Sequence, residues 1–257
     1  MMEQKIQLMG HIVAGFPSLE GSLEAALGIA EGGAEYLEVQ FPFSDPNADG
    51  VAIANACEES LQKGFNTDLG FEFLVQLKRA FVDRNLSTKI LIMTYGNILF
   101  AYGIERFLKR AKECGVFGLI VPDLSLQNDE NLFGLSKQYG LENIALIAPY
   151  TNSKRMEKLD KATGSFIYVV ARNGITGNET QIDSRLLEYI AKVKKHTTKP
   201  IALGFGIQSR EQIDALRGIV PIVIVGSAFV RMIAQSVKEG KDLQESLSAF
   251  TKELLGK

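Results

Sequence analysis

Short β-rich apolar runs alternate with longer amphipathic ones along the whole chain, and nothing else in the sequence restricts the fold so tightly. Runs at 8–13, 36–41, 89–94, 116–121, 144–148, 166–171, 200–203 and 221–225 read as eight strands. Several are apolar almost throughout, as parallel strands covered on both faces are. The stretches between them carry helical periodicity. Leu19, Leu23, Ala26, Leu27 and Ala30 share one helical face, with Ser18 as a cap ahead and Gly32-Gly33 as a stop behind. Further helices are expected over 52–62, 68–82, 104–113, 131–138, 154–162, 183–195, 228–237 and 242–255. Another follows Ser209, whose spacing to Gln212 is that of a capping box.

The repeating unit is thus strand plus helix, about 30 residues long. No linker or composition break interrupts it across the 257 residues. The expectation is one α/β domain over 1–257, a closed (β/α)8 TIM barrel. A doubly wound open sheet is the rival. It would be expected to place a glycine-rich dinucleotide fingerprint after its first strand, and Ala14-Gly15-Phe16-Pro17 is not one.

Composition removes several function classes. The formal net charge is −2, which gives no basic field for nucleic acid or an anionic membrane surface. The dense basic run Lys192, Lys194, Lys195, His196 and Lys199 falls at an expected helix C-terminus, where cations complement the dipole. No apolar stretch reaches spanning length. Cys57 and Cys114 form no Cys-x-x-Cys pair and read as buried thiols. His11 and His196 have no ligand-like spacing, so neither a metal nor another cofactor is expected. The expected setting is a soluble, reducing compartment, the cytoplasm.

The chemistry gathers where barrel enzymes keep it, at the C-terminal ends of the strands. In the second strand Leu37, Val39 and Phe41 alternate with Tyr36, Glu38 and Gln40, so one face carries a carboxylate near the strand's end. Asp45 and Asp49 follow in a loop punctuated by Pro42, Pro46 and Gly50. An interior acid followed by a rigid loop that returns two more is a candidate acid/base site. The plainer reading of Glu38 is a buried, paired charge, with Arg172 as a distant partner. Asp45 reads equally well as a loop-fixing residue, and Asp49 as a solvated turn aspartate. Glycines follow the last three strands, in Arg172-Asn173-Gly174-Ile175-Thr176-Gly177, Gly204-Phe205-Gly206 and Gly226-Ser227. Backbone N–H groups there, with a helix opening at Ser227, suit a phosphate. Each glycine taken singly is also an ordinary turn residue, and Tyr168 taken alone is core.

The segments EVQFPFSDPNADG, YGNILFAYG, VPDLS, YVVARNGITG, GFGI and VGSAFV, in this order, resemble those of tryptophan synthase alpha chains, and the resemblance spans nearly the whole sequence. It implies retro-aldol cleavage of indole-3-glycerol phosphate to indole and glyceraldehyde 3-phosphate, in an assembly of two alpha and two beta chains. Pyridoxal phosphate would belong to the beta chain. Residue by residue it implies Glu38 as general acid/base and Asp49 as the aspartate that engages the indole N–H. Tyr168 and Thr176 would contact substrate, and Gly177, Gly206, Gly226 and Ser227 would hold its phosphate. The sequence departs from the family's usual glycine at Gln40, from its usual proline at Val51, and from its usual Gly-Asp-Pro at Gly15-Phe16-Pro17. Gln40 is expected either to hydrogen-bond the Glu38 carboxyl or to crowd the substrate. These departures motivate an alternative: a catalytically weakened chain that mainly activates its beta partner.

Overall fold

A computed structural model of the chain describes residues 5–171, 182–204 and 206–257. The first half runs β1 (Gln7–Val13), α1 (Leu19–Glu31), β2 (Tyr36–Gln40), α2 (Val51–Gln62), α3 (Thr67–Asp83), β3 (Lys89–Met93), α4 (Gly96–Tyr102), α5 (Ile104–Glu113) and β4 (Gly118–Ile120). The second runs α6 (Leu132–Gln138), β5 (Glu142–Ile144), β6 (Leu146–Ile147), α7 (Ser153–Ala162), β7 (Ile167–Val170), α8 (Ser184–His196), β8 (Ile201–Gly204), α9 (Arg210–Leu216), β9 (Ile222–Val225), α10 (Ser227–Lys238) and α11 (Leu243–Leu255).

Every strand pairing is parallel, in the order β5-β4-β3-β2-β1-β9-β8-β7-β6. Because β1 pairs with both β2 and β9, the two ends of the chain meet in mid-sheet. The outermost strands, β5 and β6, are neighbours in sequence, so the sheet curls into a (β/α)8 barrel. The fifth of the eight expected strands is therefore two short ones, broken at Ala145. The Ala145 N–H leaves the ladder and donates to Thr163 Oγ1 at 3.0 Å, while Thr163 donates to the Phe166 carbonyl at 2.6 Å. The break keeps its backbone groups satisfied. A second difference is α4, a short helix absent from the sequence reading; Gly96 opens it, and no side chain caps it.

Local signals elsewhere were sound. Ser18 accepts from Gly21 N–H and Asp183 from Leu186 N–H, and the Ser209/Gln212 capping box is formed. Lys194, Lys195 and His196 occupy the last turn of α8, and both cysteines are buried and free.

The period-2 pattern of the strands sorts side chains into two cores. Leu8, Ile12, Leu37, Val39, Ile92 and Val223 point outward and pack in the layer between barrel and helices. Met9, Tyr36, Leu91, Phe166, Ala202 and Ile222 point inward and plug the barrel. Tyr36 and Phe166 meet edge to face there, with centroids 5.3 Å apart. Since Glu38 lies two residues beyond Tyr36 on the same face, the plug becomes the floor beneath it.

Candidate active site

Strands β1–β4 and β6–β9 and the loops that follow them bring the site together. Glu38 projects into the barrel from β2 and is 4% exposed, lining a pocket at the C-terminal mouth. Asp49, Tyr168, Gly206, Gly226 and Ser227 line the same pocket, so the described residues that the resemblance places at the site converge there. Thr176 and Gly177, and the suggested partner Arg172, lie outside the described residues. The remaining wall is mostly apolar: Ile53, Met93, Ile120, Pro122, Leu146 and Ile224. Few polar groups converging in an apolar cleft is the usual anatomy of a small-molecule site.

The acidic loop is not a solvated turn. Asp49 folds back over β2, and its Oδ2 accepts from Gln40 Nε2 at 2.6 Å and from the Tyr95 hydroxyl at 2.9 Å. Tyr95 also accepts from Ala48 N–H at 3.1 Å and stacks on Phe43 at 5.0 Å, so one buried phenol fixes both ends of the loop. Burial, helped by repulsion from Glu38, raises the Asp49 pKa above the usual aspartate value. The nearby His11 and the two hydrogen bonds pull the other way without cancelling it. Asp45, by contrast, stays at the exposed outer edge, where it accepts from the Ser44 hydroxyl at 2.6 Å.

Gln40 needs a correction. It shares the interior face of Glu38, but its amide reaches Asp49 and, at 3.4 Å, Cys57 Sγ rather than the Glu38 carboxyl. It is fully buried and absent from the pocket wall, so it does not crowd a substrate.

His11 was passed over in the sequence. It stands opposite Glu38 in the β1–β2 register, with Nδ1 3.6 Å from Glu38 Oε2 and the two side chains almost wholly buried. His11 is the ion-pair partner of Glu38 among the described residues. Burial works against a charged imidazole, yet the adjoining Glu38 carboxylate and then the charge of Asp49 outweigh it and raise the His11 pKa above 6.5. Across the mouth, burial first and then the Glu38 and Asp49 charges push the Tyr168 hydroxyl well above its ordinary value, so it stays neutral. Tyr168 is seated against Gly204, where a Cβ would lie 2.8 Å from Tyr168 Cε1.

The glycine loops form the other rim. Gly206 takes φ +68°, a left-handed conformation that favours glycine. Gly226 precedes α10, whose start no side chain caps. Nothing lies nearer than 3.6 Å to where its Cβ would be, so no tight packing explains that glycine. Backbone N–H groups at a helix start make an anion site without any lysine.

Among the described residues, no cluster of three or more His, Cys, Asp or Glu is placed to hold a metal ion. No helix among them is long and apolar enough to cross a membrane.

Comparison with known proteins agrees across the whole length. The family model described as tryptophan synthase alpha chain matches residues 1–255. The tryptophan synthase alpha chain of Helicobacter hepaticus is 50% identical over 259 aligned residues, covering 99% of this chain and 97% of the relative. That of Methanosarcina barkeri is 39% identical, covering 96% and 89%. Among solved structures, a chain of the tryptophan synthase complex from Pyrococcus furiosus superposes with a TM-score of 0.86 at 30% identity, covering all of both chains. Tryptophan synthase from Mycobacterium tuberculosis gives 0.86 at 28% identity, covering 98% and 92%.

Proposed function

We propose residue roles from one premise: the chain belongs to the tryptophan synthase alpha chain family. Its reaction is the cleavage of indole-3-glycerol phosphate to indole and glyceraldehyde 3-phosphate, a carbon–carbon lyase step of tryptophan biosynthesis.

Cleavage needs one proton delivered to the ring carbon that carries the glycerol chain, and one removed from the adjacent hydroxyl. In the proposal Glu38 does both, giving its proton first and taking the hydroxyl proton as the bond breaks. Asp49, as carboxylate, faces the ring nitrogen and stabilises the positive charge that develops there. Gln40 and Tyr95 both use its Oδ2, leaving Oδ1 for the indole N–H. The apolar wall takes the ring, with Tyr168 against it. Gly206, Gly226 and Ser227, joined by Gly177, hold the phosphate and supply binding energy away from the reacting bond, while Thr176 contacts the substrate. The observation that carries this assignment is a pocket with two carboxylates on one wall and an uncapped helix start on its rim.

The same reading takes residues 1–257 as one domain working in the cytoplasm with no cofactor of its own. Its partner is a beta chain, in an assembly of two alpha and two beta chains. The Pyrococcus furiosus relative is itself described as part of a tryptophan synthase complex. The comparisons support the catalytic chain rather than the weakened-chain alternative, and Gln40, one of the departures that motivated that alternative, is turned away from the pocket.

The test is indole release from indole-3-glycerol phosphate by the purified chain, titrated with a beta chain. Turnover that rises with beta chain is the expected result. Absence of indole at every ratio would overturn the assignment.

A further inference from the structure

The reaction asks for a proton at Glu38 when it meets the ring, so the proton needs a place to be held beside that carboxyl. The structure offers such a place. His11 and Glu38 are register partners on adjacent strands, 3% and 4% exposed, with Nδ1 and Oε2 3.6 Å apart. A small side-chain rotation brings that pair within hydrogen-bond reach, and acid/base contacts commonly tighten when substrate binds. The other titratable groups facing His11 in the pocket are Asp49 and Tyr168. Tyr168 is neutral, so among the described residues the imidazole sees two carboxylates and no cation. His11 Nε2 is buried with no partner among the described residues, which an inert core position would not favour.

We propose that His11 is the positioning residue that stores, against Glu38, the proton which Glu38 delivers to the indole ring. The inference rests on the reading of Glu38 as the acid/base. The pair carries one proton, either as imidazolium beside carboxylate or as imidazole beside carboxylic acid. Moving it from Nδ1 to Oε2 converts the first form to the second. The acid then breaks its O–H bond and forms the ring C–H bond, leaving carboxylate beside neutral imidazole. As the carbon–carbon bond breaks, its electron pair returns to the ring, the hydroxyl proton passes to Glu38, and the carbonyl forms. The pair is reloaded, and no outside reactant is needed. Its titration belongs to both groups together, and a raised histidine pKa keeps the stored proton to higher pH.

His11→Asn keeps a polar side chain of similar size but cannot titrate. The experiment is the pH dependence of kcat and KM for indole release in the complex with beta chain, with circular dichroism to verify folding. The alkaline limb of kcat is expected to move down by about one pH unit or more, with a loss of about tenfold at about pH 8 and little change in KM. A folded His11→Asn variant with the wild-type limb would overturn the proposal. An NMR titration of the two histidines in the intact chain keeps the test open if that variant fails to fold. Glu38→Gln is expected to lower the His11 midpoint and leave His196 unmoved, and a His11 midpoint unchanged by Glu38→Gln would also overturn it. Retained turnover in Glu38→Gln would instead sink the underlying acid/base reading, so the two failures are distinguishable.

Discussion

Replacing Gln40 by leucine should separate stability from catalysis. The amide of Gln40 donates to Asp49 Oδ2 at 2.6 Å, and losing a hydrogen bond to a charged acceptor costs about 1.5–3 kcal/mol. The same side chain buries a carbonyl, Oε1, that has no partner among the described residues, and removing it relieves about 1–3 kcal/mol. Leucine has nearly the same volume in a site with no exposure, so little cavity or strain is added. The two effects nearly cancel, and the unfolding free energy is expected to stay within about 1 kcal/mol of wild type. Asp49 has no such compensation. It loses one of two donors, and the loss moves its already raised pKa further up. The carboxylate that faces the ring nitrogen is then less often ionised and less firmly aimed. Up to the strength of that one bond is at stake, so kcat/KM for indole release should fall about tenfold or more. The acid limb of kcat should also shift to higher pH. Urea unfolding and steady-state assays with beta chain would measure both. Unchanged turnover, or a stability loss above about 3 kcal/mol, would refute the assignment of Gln40 as the support of Asp49.

Two further substitutions probe the frame around the site. Gly204→Ala sets a Cβ 2.8 Å from the Tyr168 ring, so the ring must shift toward the substrate; KM should rise and stability fall by about 1–3 kcal/mol, read from kinetics and thermal melts. Val51→Pro places proline at the first position of α2, on an exposed residue preceded by Gly50 in extended conformation; stability should rise by about 0.4–1 kcal/mol with turnover unchanged.

What could be read from the sequence was whatever is encoded locally. Apolar runs marked the strands, Ser18, Ser209 and Asp183 announced helix starts, and the parity of β2 placed Glu38 on the inner face. The short helix Gly96–Tyr102 escaped because glycine opens it and seven residues show too little periodicity. The break at Ala145 escaped because it depends on Thr163, a partner 18 residues on, just past α7. The site's finer chemistry was hidden for a related reason. A lone histidine in an apolar run says nothing until the β1–β2 register sets it opposite Glu38. Likewise Gln40 and Tyr95 become the supports of Asp49 only once the loop folds back over the strand. Such pairings across strands and loops leave no periodic mark along the chain. One signal was available for His11: it shares strand parity with Met9, which faces the barrel interior.

Glu38 is the group on which every other assignment leans, and Glu38→Gln tests it most directly. Affinity for a non-cleavable indole-alkyl phosphate and kcat for indole release would be measured separately, in the complex with beta chain. The account predicts that binding is kept while kcat falls by about 10²–10⁴. Turnover near the wild-type rate in a folded Glu38→Gln chain would contradict it.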